Sequence, residues 1–277
     1  GVFPGLTVAE NLRAAGWMSA GVVHPCEADR GFKKGDMILN APSSDAPCIM
    51  VIGAHAADAE LMGGAAVLAH QKQGWRSVLV HLTLGEKGSR TLSPEEYAEV
   101  KRKEAAQAAE ILGSEMEVLP YLDGELPVSE EVQWHIADLI RKHRPDVILT
   151  HWKGSIHTDH TNCYENVLAS LFFAGLKTFV REYPNHYPKA IYFAENWEDE
   201  EDFEPEVYID TSDVWDTYHR AASCYTLVAG ENPPFRYLQW YDGASRMRGA
   251  ERNVDRAVAL MPYRPYYSRR QLRETLA

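Results

Sequence analysis

Apolar and polar positions alternate regularly from Cys48 onward. CIMVIGA is a short apolar run between Pro47 and a polar turn, the pattern of a buried strand. A small-residue helix is expected to follow over about Asp58 to Gln73, with Leu61, Ala65, Leu68 and Ala69 at helical spacing and Gly74 as its stop. SVLVHLTL (Ser77 to Leu84) reads as a second strand. The next helix runs from about Pro94 to Leu112, opened by Ser93-Pro94 with Glu95 and Glu96 in its first turn and closed by Gly113. A strand over Met116 to Leu122, a helix from about Glu130 to His143 and a strand over Asp146 to Trp152 continue the alternation. Beyond about Tyr187 the pattern changes: KAIYFAE and EVYIDTS read as strands, a helix over about Asp213 to Leu227 follows, and the tail is rich in Tyr, Pro and Arg.

Strand and helix in alternation predict an α/β fold, a Rossmann-like and mostly parallel sheet with helices on both faces and right-handed crossovers. Residues 1–46 read as an irregular N-terminal extension, and residues 47–277 as a single α/β domain with appended C-terminal segments. In such a sheet a ligand sits beyond the carboxyl ends of the strands. The segments there are AHAADAE, LGEKGSR, LDGE and HWKGSIHTDH, all rich in groups that bind metals or polar substrates.

Composition narrows the function classes. The 277 residues carry 28 Lys+Arg against 40 Asp+Glu, a net charge of -12. That balance opposes a nucleic-acid backbone as partner. No apolar run approaches the roughly 20 residues that cross a bilayer, and no signal-like start is seen. A cytoplasmic protein without membrane or nucleic-acid partners is expected, with self-association into a homo-oligomer left open. The four cysteines form no CxxC pair, so neither a disulfide framework nor a thiolate zinc knuckle is indicated.

Eleven histidines are more informative where they cluster. His55 and Asp58 lie three apart where the first strand turns into a helix, so both can face one point. His157-Thr158-Asp159-His160 follows another strand and opens another helix. Two imidazoles and one carboxylate, with positions left for water, suit catalytic zinc, whereas structural zinc commonly has four protein ligands. His151 ends the preceding strand and reads as a structural or outer-sphere group, or as a substrate contact. The acidic run ENWEDEEDFE has no fixed ligand spacing and reads as a solvated loop.

GAHAADAELMGG, TLGEKGS, RKEAAQAAEILG, YLDGEL and HTDH, in this order, resemble the PIG-L/LmbE family of metal-dependent N-deacetylases. The match is good over Cys48 to Phe173 and weaker to about Arg248. The resemblance implies one zinc per chain on His55, Asp58 and His160, with His157 as electrostatic partner or general acid and Asp159 orienting a neighbour. It also aligns Arg102 and Glu104 with an Arg-x-Glu whose Arg contacts substrate or holds the site together. It implies removal of an N-acyl group, most simply acetyl, from an amino sugar or related glycoconjugate.

The departures from the family are as informative. The family's first motif reads His-Pro-Asp-Asp, and its base, the first Asp, is Ala57 here. Ala56 replaces Pro, and Ser155-Ile156 stand where many members have Asp-Arg. The joint loss of Pro and Asp points to a natural branch rather than one engineered inactivating change. Substitute bases are Glu60, on the helix face of Ala57, together with Glu86 and Asp123 at neighbouring strand ends, where they could equally contact substrate. The rival activity is a zinc hydratase adding water to an unsaturated acid, since at least one lyase branch of the same fold also lacks that Asp. A metal-binding pseudoenzyme is the third alternative.

Overall fold

The computed structural model describes residues 43, 45–199, 201–230 and 233–265. The extension read at 1–46 therefore lies, apart from its last residues, outside the described residues. The chain forms β1 (Cys48–Gly53), α1 (Asp58–Gln71), β2 (Arg76–Thr83), α2 (Pro94–Leu112), β3 (Glu115–Tyr121), α3 (Glu130–His143), β4 (Val147–Thr150) and α4 (Thr158–Gly175). Then follow β5 (Ala190–Ala194), β6 (Val207–Asp210), α5 (Trp215–Ala222), α6 (Thr226–Ala229), α7 (Tyr237–Ala250) and β7 (Ala257–Pro262). The seven strands make one sheet in the order β3-β2-β1-β4-β5-β7-β6. β1 to β5 pair in parallel, whereas β7 runs antiparallel to β5 and to β6.

Every residue of β1 is buried, as an interior strand of a sheet covered on both faces requires. One face packs through Met50, Ile52, Val78, Val80 and Ile148 against Val132, Ile136 and Ile140 of α3 and Val167 and Leu171 of α4. α2 begins with a full capping box: Ser93 Oγ accepts from the Glu96 N–H, while the Glu96 carboxylate accepts from the Ser93 N–H.

The helix expected over Asp213 to Leu227 is broken. A 3₁₀ turn at Ser212–Val214 leads into α5, which stops at Ala222, and Tyr225 is extended before α6 begins. The break directs the Tyr225 hydroxyl to Glu60 Oε1, 2.8 Å away, a tertiary bond that an unbroken helix would forgo. β7 was absent from the sequence reading: AVALMP is six residues long and has the period of neither a helix nor a half-exposed strand.

Candidate active site

β1 ends at Gly53, where the chain turns at once into α1. A Cβ on Gly53 would lie 2.8 Å from the backbone nitrogen of Ala59, so only glycine lets the helix start this close to the strand. The turn is held by the Asp58 carboxylate accepting from the His55 N–H at 2.8 Å and by the Asp58 N–H donating to the His55 carbonyl at 3.1 Å. Ala57 sits within it at φ 102°, a region costly for a side chain other than Gly, Asn or Asp. Buried Lys101, from α2, donates its Nζ to the Ala56 carbonyl at 2.6 Å.

Three donor atoms converge beyond the ends of β1 and β4. His55 Nδ1 lies 3.1 Å from Asp58 Oδ2, His160 Nε2 lies 3.2 Å from the same oxygen, and the two nitrogens are 3.2 Å apart. The other nitrogen of each ring faces carboxylates. His55 Nε2 is 3.2 Å from both Asp123 Oδ1 and Asp159 Oδ2, and His160 Nδ1 is 3.0 Å from Glu198 Oε2. Those outer partners take the ring N–H of a neutral imidazole, which turns two nitrogen lone pairs and one carboxylate oxygen toward a common centre. Three acceptors at this separation repel one another unless a cation or protons lie between them. A tetrahedral ion with bonds of about 2.0–2.1 Å sets its ligands roughly 3.3 Å apart, so the triangle fits one face of such a site. Carboxylates behind the coordinating imidazoles are the usual support of a metal centre.

Without an ion the triangle is closed by protons, which a bound cation would have to displace. Burial alone would depress His160, but the Asp58 carboxylate beside it lifts the imidazole to about 9. Burial pushes the carboxyls of Asp58, Asp123, Asp159 and Glu198 upward, yet the imidazoles beside them outweigh it and hold all four below their ordinary range.

The other site candidates differ in their partners, and His157 also belongs to a donor group with His55 and His160. His157 is the N-cap of α4; its Nδ1 accepts from the Asp159 N–H at 3.2 Å, and its ring centroid lies 4.6 Å from that of His55. With Nδ1 accepting, Nε2 carries the proton of the neutral ring, and burial followed by His55 and His160 lowers its pKa. Asp159 accepts from the Gly124 N–H at 2.7 Å, and Glu86 accepts from the Asp123 N–H at 2.8 Å, so both brace the LDGE turn. His151 is fully buried and stacked on His160 with centroids 4.0 Å apart; its Nε2 accepts from the Ala54 N–H and lies 3.4 Å from Asp58 Oδ2. His151 also belongs to an alternative donor group with Asp58 and His160.

Two candidates make their contacts elsewhere. Glu60, read as a substitute base, is fully buried, with Oε1 bonded to Tyr225 and 3.3 Å from His81 Nε2. Arg102, read as a substrate contact, is half exposed and pairs with Glu99 at 4.0 Å. On α2 the buried positions are Tyr97, Lys101, Glu104, Ala105, Ala108, Ala109 and Leu112, and residue 102 is turned away from them. The sequence reading therefore missed Lys101; the inward period of that helix was the signal that marks it. It also missed Glu198 by treating its acidic run as a solvated loop.

A family model described as PIG-L: GlcNAc-PI de-N-acetylase matches residues 50–171. Residues 50–171 form a PIG-L family domain. The chain is 26% identical over 227 residues to 4-oxalmesaconate hydratase of Pseudomonas putida, covering 78% of this chain and 84% of that relative. It is 29% identical over 203 residues to diacetylchitobiose deacetylase of Thermococcus kodakarensis, covering 69% and 73%. Among solved structures, a Pseudomonas putida 4-carboxy-2-hydroxymuconate hydratase superposes with a TM-score of 0.70 at 23% identity, over 83% of this chain and 100% of that one. Relatives of this PIG-L domain thus include both a deacetylase and a hydratase. Among the described residues, no helix is long and apolar enough to cross a membrane.

Proposed function

We propose that the chain is a metal-dependent hydrolase that removes an N-acyl group, most simply acetyl, from an uncharged polar conjugate such as an amino sugar. One zinc ion would be held by His55 Nδ1, Asp58 and His160 Nε2. The observation carrying this reading is the charge around the triangle. Four ionised carboxylates outweigh the two positive charges of a divalent ion even when the buried Lys101 ammonium on the Ala56 carbonyl is added, and Lys87 is paired with Glu125 at 2.5 Å. A dianionic substrate would meet net repulsion there, whereas a neutral amide would not.

When bound, the ion would act as a Lewis acid toward the acyl oxygen and lower the pKa of a water molecule toward neutrality. His157 is placed to donate its Nε2–H to negative charge developing on that oxygen, in a ring orientation fixed by the Asp159 N–H. Asp123 and Asp159 keep His55 in the tautomer that leaves Nδ1 free. Ala57 presents a methyl group where the family has its base, so the oxygen side of the reaction is better served than the proton-accepting side.

Hydration of an unsaturated carboxylic acid is the second reading. It is favoured by Ala57 and by the similarity to a hydratase over 78% of this chain. Assays of N-acetylglucosamine conjugates and unsaturated dicarboxylates, on the native chain and on Ala57→Asp, separate the two. Aspartate tolerates positive φ better than alanine, so the substitution suits the turn. A deacylase should gain roughly 10-fold or more in amide hydrolysis. Hydration by the native chain, with no hydrolytic gain in a variant that still binds zinc, would overturn the first reading.

A further inference from the structure

We propose that Glu198 is a positioning residue for His160, and that the acidic segment after β5 is a built wall of the site. Glu198 Oε2 lies 3.0 Å from His160 Nδ1 and accepts from Ser155 Oγ at 3.0 Å. Ser155 Oγ is itself 3.1 Å from His160 Nδ1 and accepts from the His157 N–H at 3.2 Å. A hydroxyl from one loop and a carboxylate from another therefore share the outer N–H of this imidazole. The carboxylate on this ring comes from a distant segment, since Ser155 and Glu198 are 43 residues apart.

The segment is held on both sides. Arg248 grips Glu195 with two bonds, Nη2 to Oε1 at 2.5 Å and Nε to Oε2 at 3.0 Å, and the Tyr241 hydroxyl donates to Asn196 Oδ1 at 3.0 Å. Asp199 forms an antiparallel bridge with Ser155, and Trp152 Nε1 donates to the Glu201 carbonyl at 2.8 Å. A Cβ on Gly154 would lie 2.7 Å from that same carbonyl, so glycine is what lets the two loops close together. A carboxylate fixed in this way holds the His160 ring in one tautomer, with its Nε2 lone pair directed at Asp58 and His55. An outer partner of this kind typically changes metal affinity by about 10–100-fold.

The inference rests on the reading of His55, Asp58 and His160 as a metal site. It is tested by zinc competition against a chromophoric chelator, with thermal melting of the metal-free proteins as the check on folding. Glu198→Ala should weaken zinc binding by roughly 10-fold or more. Ser155→Asp in that background should recover most of the loss, because it returns a carboxylate to the same ring nitrogen; a purely structural role for Glu198 would not be rescued from residue 155. If Glu198→Ala melts far below the native chain, Glu198→Gln, which keeps the shape and removes the charge, takes its place. Affinity within about twofold of native in the folded variant, or no recovery in the double variant, would overturn the proposal. A native chain that binds no zinc would instead refute the metal reading itself, so the two failures are distinguishable.

Discussion

The two imidazoles of the HTDH segment differ in what their nitrogens face. Both rings of His160 and His55 spend one nitrogen on carboxylates and aim the other at Asp58, whereas His157 spends Nδ1 on a backbone N–H and keeps a proton on Nε2. That difference should separate the variants. His160→Ala is expected to lose both bound metal and activity. His157→Ala is expected to keep near-stoichiometric metal while turnover falls by roughly 10²-fold or more. Metal analysis beside steady-state kinetics decides it, and equal metal loss in both would remove the distinction. At this scale part was legible: the family resemblance singled out His55, Asp58 and His160, and the fold brings these three side chains together. The outer partners were not, because His55 meets Asp123 and Asp159, and His160 meets Glu198, across chain separations that no local pattern encodes.

α2 shows how an element selects among its residues. Lys101 and Arg102 are adjacent in sequence, yet one is buried with its ammonium on the Ala56 carbonyl and 4.7 Å from the Tyr225 ring centroid, while the other lies in solvent beside Glu99. Burial holds the Lys101 ammonium below its usual pKa range, partly offset by Glu104 and Asp58. Lys101→Met should leave the Ala56 carbonyl without its donor, lower the melting temperature by several degrees and weaken metal binding, since the strained turn at Ala57 loses its brace. Arg102→Ala should stay within about 0.5 kcal/mol of native stability and leave kcat/KM unchanged. A large kinetic loss at Arg102 would return it to the substrate side. The boundaries of α2 were readable from its cap at Ser93 and its stop at Gly113, because capping is local chemistry. The break between α5 and α6 was not, because it serves the bond from Tyr225 to Glu60, and helix period alone cannot reveal a partner 165 residues away.

Across the whole molecule, the alternation of strands and helices already implied that the polar segments after β1, β2, β3 and β4 gather at one edge of the sheet, and β1 between β2 and β4 brings them together. The antiparallel pair β6 and β7 lay beyond that logic, as did the use of the segment after β5 as a wall. Because the donor triangle exists only in the folded chain, an ion bound there stabilises by mass action. Stripping metal with a chelator should lower the melting temperature, and added zinc should raise it in a concentration-dependent way, the folded state gaining about 2.7 kcal/mol at 100 times the dissociation constant. A melting curve indifferent to zinc would contradict the site. The strand order also has a consequence for biosynthesis. His55 and His160 are 105 residues apart, and β4 must insert beside β1 before their rings can meet. At the usual pace of about 5–20 residues per second, the first half of the site leaves the ribosome several seconds before the second. Glu198 emerges later still. The nascent chain thus passes through a stage in which His55 and Asp58 are made but His160 is not, and an ion bound as proposed would be held firmly only once the far side of the sheet arrives.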